Sequence, residues 1–349
     1  MSDLPLIGIM VMNRKNRKKT LQLYNNFKNG LNMDLFCFTP QDIEWVDRKI
    51  RGVSLGNNQL KTNMFRFPDA VYNRCYRKRA KTLREMEKHI GENKCFNWIT
   101  RFNKWRIYNI MSNAKLDKYL PKTCLFKPET LMEQLNKERR LILKPAYGSL
   151  GGQIYLIELT DNHIVNIYRD TLVPMYSFSD KKMLIKKVTE MIGQKDFIIQ
   201  REIQMAKVDG KMMDLRILVQ KGISGNWEVT NGISKVAPYN FFVTNHCEKI
   251  YRMEEVLKIL TSDLKKTDPL LNEIYEASIK TARKLEADIG VLGEIGIDMA
   301  IDNAGRIWII EVNGRPQKNM YHKIAGNDDN DIAPIYQRPL EYAYYLALK

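Results

Sequence analysis

Histidine and cysteine are both scarce in this chain: four and five residues among 349. The cysteines (Cys37, Cys75, Cys95, Cys124 and Cys247) are odd in number and widely scattered, and no two form a Cys-x-x-Cys pair. That pattern excludes a disulfide framework and a thiolate zinc site, and it leaves reduced thiols buried as small hydrophobes in a cytoplasmic protein. His89, His163, His246 and His322 have no evident partners, so no Ser-His-Asp or Cys-His catalytic set is in prospect. Long apolar runs are missing too. Nothing approaches the roughly 18 residues that cross a bilayer, which excludes a membrane span. The short apolar run at residues 6–11 follows Asp3, the wrong flank for a secretory signal, and reads as a first β-strand.

What is present is the composition of a folded globular chain, 44% hydrophobic and 28% charged. The length suits two or three compact units of about 100–200 residues. Acidic residues are thin only in one part. Residues 1–140 hold 29 Lys and Arg against 13 Asp and Glu, whereas residues 141–349 hold 27 of each, so the whole +16 lies in the first part. A surface of one sign attracts the other, which points to a polyanion or an acidic partner. Nucleic acid is disfavoured, because the basic segments lack interleaved aromatic platforms and any recognised binding motif.

Residues 1–100 read as a small basic α/β domain with strands at 7–11, 35–38 and after Pro68. Arg74, Arg77, Lys78, Arg79, Lys81 and Arg84 crowd what reads as one helical stretch, a solvated or partner-facing surface. Residues 101–196 open on a linker helix, where Trp105, Tyr108, Ile110, Met111 and Leu116 recur at three- and four-residue steps. There follows an apolar strand at 141–145, then Gly148, Gly151 and Gly152, then a strand at 154–157. Strand, glycine-rich turn, strand is a hairpin lid. No Gly-Lys-Ser/Thr follows it, so a P-loop is excluded. Residues 197–349 alternate strands and helices, with hairpins turning at 222–226 and 302–305 and a long helix from Pro269 to about residue 289. Tyr342, Tyr344, Tyr345 and Leu346 belong to a closing helix. The segment 327–331 lacks the glycine and glutamate of a calcium loop and reads as polar surface.

The chemistry concentrates in the last hairpin. Glu311 and Asn313 stand two apart on a strand and so project to one face, and Asp298 on the partner strand can join them. Two carboxylates and an amide oxygen suit Mg²⁺, which prefers oxygen and keeps positions open for phosphates. Phosphate also needs cations and backbone donors. Lys144 ends its strand just before the glycine cluster, where Gly148, Gly151 and Gly152 let amides approach an anion without a clashing Cβ. Ser149 adds a hydroxyl, and Lys104 at the start of the linker helix adds a second positive charge.

In this order Lys104, Lys144 with its glycine loop, residues 200–203, Asp214-Leu215-Arg216, Asp298 and Glu311-Val312-Asn313 resemble the ATP-grasp superfamily, and more closely the YheC/YheD-type proteins of endospore-forming bacteria. Tyr72-Asn73-Arg74, Asn103-Lys104-Trp105, Leu143-Lys144-Pro145 and Trp308-Ile309-Ile310-Glu311 carry the closer likeness, which spans about residues 5–318. The resemblance implies an α/β fold in which two α+β lobes hold MgATP, behind a small α/β domain. It implies that Lys104 and Lys144 contact phosphates, and that Gln200, Arg201, Glu202 and Ile203 form a hinge whose backbone reads the adenine edge. Asp298, Glu311 and Asn313 would hold Mg²⁺, and Arg216, Lys235, Asn245 and Arg315 would face the γ-phosphate and the acyl phosphate formed from it. The implied activity is ATP-dependent joining of a carboxylate to an amine, the alternative being a non-catalytic nucleotide-binding protein of a spore-coat assembly. Three positions depart from the pattern. Gly152-Gln153 stands where a basic residue is frequent, Lys235 where arginine is, and His246-Cys247 where a Gly-Gly turn is. Most of the excess positive charge lies outside these elements, which assigns it to an acidic peptide or carrier protein. Reversing Arg77, Lys78 and Arg79 should then raise that partner's KM and leave ATP affinity alone.

Overall fold

The structure is a computed structural model that describes residues 4–28, 30–56, 59–76, 80–148, 152–261, 264–324 and 329–349. Arg77, Lys78, Arg79, Ser149, Gly151, Asn327 and Asp328 lie outside the described residues. Three sheets organise the chain.

The first sheet contains β1 (Leu6–Met10), β2 (Asp34–Phe38), β3 (Ile43–Glu44), β4 (Lys49–Gly56), β5 (Gln59–Arg66), β6 (Ala70–Asn73) and β7 (Cys95–Phe96), with helices α1 (Lys15–Asn25) and α2 (Ala80–Ile90). Its central strand β1 is flanked by parallel β2 and β6 and buried at all five residues, which is why it reads as a continuous apolar run. The β4–β5 hairpin leaves no such trace, because most of β5 is exposed and its apolar residues are few. Helix α3 (Lys104–Ser112) links to the next sheet. It starts at Asn103, whose side chain accepts from Arg106 N, a cap that contributes about 1 kcal/mol.

The second sheet contains β8 (Thr123–Leu125), β9 (Arg140–Pro145), β10 (Tyr155–Leu159), β11 (Val165–Arg169), β12 (Pro174–Phe178) and β13 (Phe197–Arg201), backed by α4 (Pro128–Glu138) and α5 (Lys181–Ile192). β9 and β10 are antiparallel neighbours, and residues 149–151 between them lie outside the described residues. The third sheet contains β14 (Lys207–Val208), β15 (Lys211–Lys221), β16 (Trp227–Val236), β17 (Lys249–Arg252), β18 (Glu294–Ile301) and β19 (Ile307–Asn313), with α6 (Met253–Thr261), α7 (Leu264–Ile289) and the closing helix α8 (Asp329–Leu348). Ile107 and Met111 of α3 pack in the core of this third sheet, while α8 packs with the first sheet beside Tyr24 and Tyr72. The contact is tight. A Cβ on Gly293 would come within 2.4 Å of the Phe96 ring and 2.7 Å of Tyr342.

Two sequence expectations need correction. Arg74 is not part of a helical basic face: it follows β6, and its guanidinium enters a buried cluster. There Nη1 donates to Tyr24 Oη (2.6 Å) and Tyr72 Oη (2.7 Å) and lies 3.2 Å from Glu294 Oε1. Nor is every histidine without a partner, since His322 Nε2 is 2.9 Å from Tyr336 Oη. None of the five cysteines forms a disulfide among the described residues, and Cys37, Cys75 and Cys95 are buried.

Candidate active site

The site lies where one face of the third sheet meets the second. Strand register puts Asp214 opposite Lys235, Arg216 opposite Asp298, and Asp298 opposite Glu311. Opposed residues on neighbouring strands share a face, so a charged row crosses β16, β15, β18 and β19 and ends on two neighbouring carboxylates. Lys235 Nζ is 2.9 Å from Asp214 Oδ2, which also accepts from Thr244 Oγ1 at 2.5 Å. Arg216 forks Asp298, with Nη2 donating to Oδ2 at 2.7 Å and Nε donating to Oδ1. Asn313 Nδ2 donates to Asp298 Oδ2 at 3.3 Å, and Lys104 Nζ is 3.2 Å from Glu311 Oε1. The intervening residues Leu215, Ile217, Ile297 and Met299 are fully buried in the core on the other face. A one-residue slip would expose them, so the apolar pattern holds the charged row in place.

The second sheet supplies the opposing wall. Lys144, 3% exposed, donates to Gln200 Oε1 (2.9 Å) and across the cleft to Ile310 O (3.1 Å). Lys104 Nζ also reaches Gly148 O at 3.5 Å. Gly152 is exposed, and Gln153 Oε1 accepts from Lys195 Nζ at 2.7 Å, which brings an ammonium to the base of the hairpin. At residues 200–203 the side chains are used within the lobe: Gln200 on Lys144 and Thr123, Arg201 on Glu138, and Glu202 on Arg140. The N–H of Ile203 has no partner among the described residues. Between the walls lies a cleft whose sides include Ile142, Ile154, Met205 and Ile310. Apolar walls with convergent polar groups at one end suit a flat heterocycle with a charged tail.

A second pocket continues from the charged row toward the first sheet, lined by Arg216, Lys235, Asn245, Arg315 and Tyr76. Thus Asp298, Glu311 and Asn313 come together with Arg216, Lys235, Lys104 and Lys144 around one face. Asn245 sits exposed at the mouth, and Arg315 stands at the far side beside Tyr76.

Electrostatics follow from burial and pairing. Burial pushes the Lys144 ammonium down to about 8; Glu311 opposes this and Lys104 adds to it. Burial works against ionised Asp298 too, but Arg216 and Lys235 outweigh it and hold the carboxyl below its ordinary value. Burial lowers Lys235, and Asp214 with Asp298 more than restores it. Asp214 was legible only as part of a motif; its buried carboxylate is the partner that keeps Lys235 charged. The signal was its place two residues before Arg216, on the same face of the strand. Among the described residues no three His, Cys, Asp or Glu side chains cluster as a metal site. Two carboxylates and the Asn313 amide do converge, and Arg216 leaves lone pairs on both Asp298 oxygens. Such a partial oxygen set fits Mg²⁺, which retains waters and phosphate oxygens as its other ligands.

Among the described residues no helix is long and apolar enough to cross a membrane. Comparison with solved structures matches the fold over nearly the whole chain. The VanG D-Ala:D-Ser ligase from Enterococcus faecalis superposes with a TM-score of 0.58 at 16% identity, covering 99% of this chain and all of that one. The ATP-grasp ligase PsnB, in complex with minimal precursor, Mg and ADP, gives 0.56 at 13% identity, covering 97% and 98%. Two Bacillus subtilis proteins are similar in sequence. The endospore coat-associated protein YheD is 24% identical over 90% of this chain and 71% of its own length, and YheC is 22% identical over 88% and 87%. The model of the YheC/D like ATP-grasp family matches residues 92–346, a span that includes Lys104, Lys144 and the whole charged row, and the chain belongs to that family.

Proposed function

We propose that this protein is an ATP-dependent ligase that activates a carboxylate as an acyl phosphate and joins it to an amine. The observation that carries this reading is the charged row: Asp298, Glu311 and Asn313 share one face with Arg216 and Lys235, opposite Lys144, between an apolar cleft and a second pocket. The adenine would lie between the apolar walls with its edge on the backbone near Ile203, and the phosphates would point toward Lys144 and Lys104. Asp298, Glu311 and Asn313 would hold Mg²⁺, which offsets phosphate charge. A carboxylate oxygen attacks the γ-phosphorus and ADP leaves; the amine then attacks the acyl carbon, phosphate leaves, and the amine proton passes to the departing phosphate. This chain's residues orient and neutralise, and no side-chain nucleophile is required. Arg216 and Lys235, held by Asp298 and Asp214, flank the transferred phosphoryl group, and Asn245 donates an amide at the mouth. The test is ADP release over amine and carboxylate panels, where Asn313→Ala should abolish turnover.

Lys144 gives this reading a pH signature. Phosphate binding favours the ammonium, and with a free-protein value of about 8 the site must take up a proton to bind above that pH. Kd for a nonhydrolysable ATP analogue should therefore be flat below pH 7 and rise by up to about tenfold per unit above pH 8. Lys144→Met should weaken binding and remove that rise. A wild-type Kd unchanged between pH 7 and 9 argues against the assignment.

The names of the relatives favour a second reading, a nucleotide-binding component of a spore-coat assembly. Tight nucleotide binding with no ADP release across broad panels is its expected signature.

A further inference from the structure

Of the cations that line the second pocket, two already have carboxylates: Arg216 has Asp298 and Lys235 has Asp214. Arg315 differs. It forms no ion pair among the described residues, although it is only partly exposed. Its guanidinium lies over the Tyr76 ring at 5.8 Å, so its edge stays free while its face is covered. The backbone under it is fixed. A Cβ on Gly314 would meet the Phe102 ring at 2.7 Å and Ile99 O at 3.0 Å, and Lys318, three residues beyond Arg315, is buried 2.7 Å from Glu294 Oε2.

A fixed, half-buried guanidinium with a free edge is the geometry that takes a carboxylate in two parallel hydrogen bonds. We propose that Arg315, backed by Tyr76, grips a carboxylate of the second substrate that does not itself react, so that this substrate is an amino acid or a peptide presenting a free carboxylate. The pocket supports two contact points. One end, at Arg216, Lys235 and Asn245, faces the reacting group, and the other, at Arg315, anchors the molecule through its spectator carboxylate. Tyr76 belongs to the first domain, so docking of that domain against the third sheet completes the subsite. This assignment rests on the ligase reading for the reacting end only. Arg315 recognition can be measured by binding alone.

The experiment uses the full chain with Mg²⁺ and a nonhydrolysable ATP analogue. An equimolar pool of the twenty L-amino acids, a pool of the same residues as C-terminal acids of Gly-X dipeptides, and the matching carboxamide pools are compared by thermal shift, and by ADP release with ATP. Either free-acid pool should raise Tm and its carboxamide pool should not. Arg315→Gln should weaken the stabilising pool by about 10–100-fold, and Arg315→Lys should recover only part of the loss. Equal shifts from acids and carboxamides, no shift from any pool, or an Arg315→Gln protein that responds like wild type each overturns the proposal. A Tm response confined to acids without ADP release would instead retain the carboxylate grip and count against the ligase reading.

Discussion

Glu294→Ala should destabilise the protein by about 3–5 kcal/mol, because it strips a buried ion cluster of its anion. Glu294 is 1% exposed and has four partners: Tyr72 Oη donates at 2.5 Å, Gln220 Nε2 at 3.0 Å, Lys318 Nζ is 2.7 Å away, and Arg74 Nη1 is 3.2 Å away. Lys318 also donates to Tyr24 Oη (3.1 Å) and Tyr72 Oη (3.3 Å). The cluster already holds two cations for one carboxylate. Burial pushes Lys318 down to about 7, with Glu294 resisting. Removing Glu294 leaves both cations buried without an anion, at the seam between the first and third sheets. Chemical denaturation at pH 7 reads the loss, and Glu294→Ala/Lys318→Met should regain part of it. The sign with pH follows from Glu294 itself. Burial alone would raise its carboxyl, but Lys318 and Arg74 hold it below the ordinary value. Its contribution is therefore present above the unfolded carboxylate range and lost as pH falls through the folded value, so wild type and Glu294→Gln should converge in acid. A midpoint shift of Glu294→Ala under about 1 kcal/mol would mean that the seam is held by packing alone.

That cluster marks the limit of what is legible in sequence. The elements that carry nucleotide chemistry announce themselves locally. The strand before Lys144 ends in proline, the glycines follow, and Glu311 and Asn313 keep the two-residue spacing of one strand face. The register that joins Asp298 to Glu311 comes from a short hairpin, so the pairing is close in sequence too. Arg74 offers nothing comparable. It stands in a run of basic residues, and its partner Glu294 is 220 residues away on another sheet. A largely buried arginine within a basic run has no local signature, since burial is decided by which strand ends against which sheet. Lys235 and Asp214 are intermediate: each is visible in its own strand, yet only the β15–β16 register makes them a pair. The N-terminal β4–β5 hairpin was illegible for the opposite reason. Most of β5 is exposed, so the alternation that marks a half-buried strand is weak there.

The two features share one face of the third sheet. Glu294 and Asp298 are four residues apart on β18, about 13 Å at the rise of a strand, so the seam and the charged row are built on a single rigid element. Asp298→Asn should cut ADP formation by about 10³-fold or more, since the substitution acts twice. It removes one of the two carboxylates in the oxygen set, and it withdraws the charge that Arg216 forks, leaving that guanidinium free to swing from the transferred phosphoryl group. Asn313→Ala removes one amide oxygen from the set and the donor to Asp298 Oδ2 but leaves the Arg216–Asp298 pair, so the two variants separate the effects. Both should lose turnover. Only Asp298→Asn should also change how Mg²⁺ and Arg216 cooperate, which appears as a raised Mg²⁺ requirement that Arg216→Lys does not worsen further. Kd for the ATP analogue without Mg²⁺ and the far-ultraviolet circular dichroism check that cleft and fold survive. Near wild-type turnover of Asp298→Asn at saturating Mg²⁺ would sink the metal assignment, and strict additivity with Arg216→Lys would sink the coupling between them.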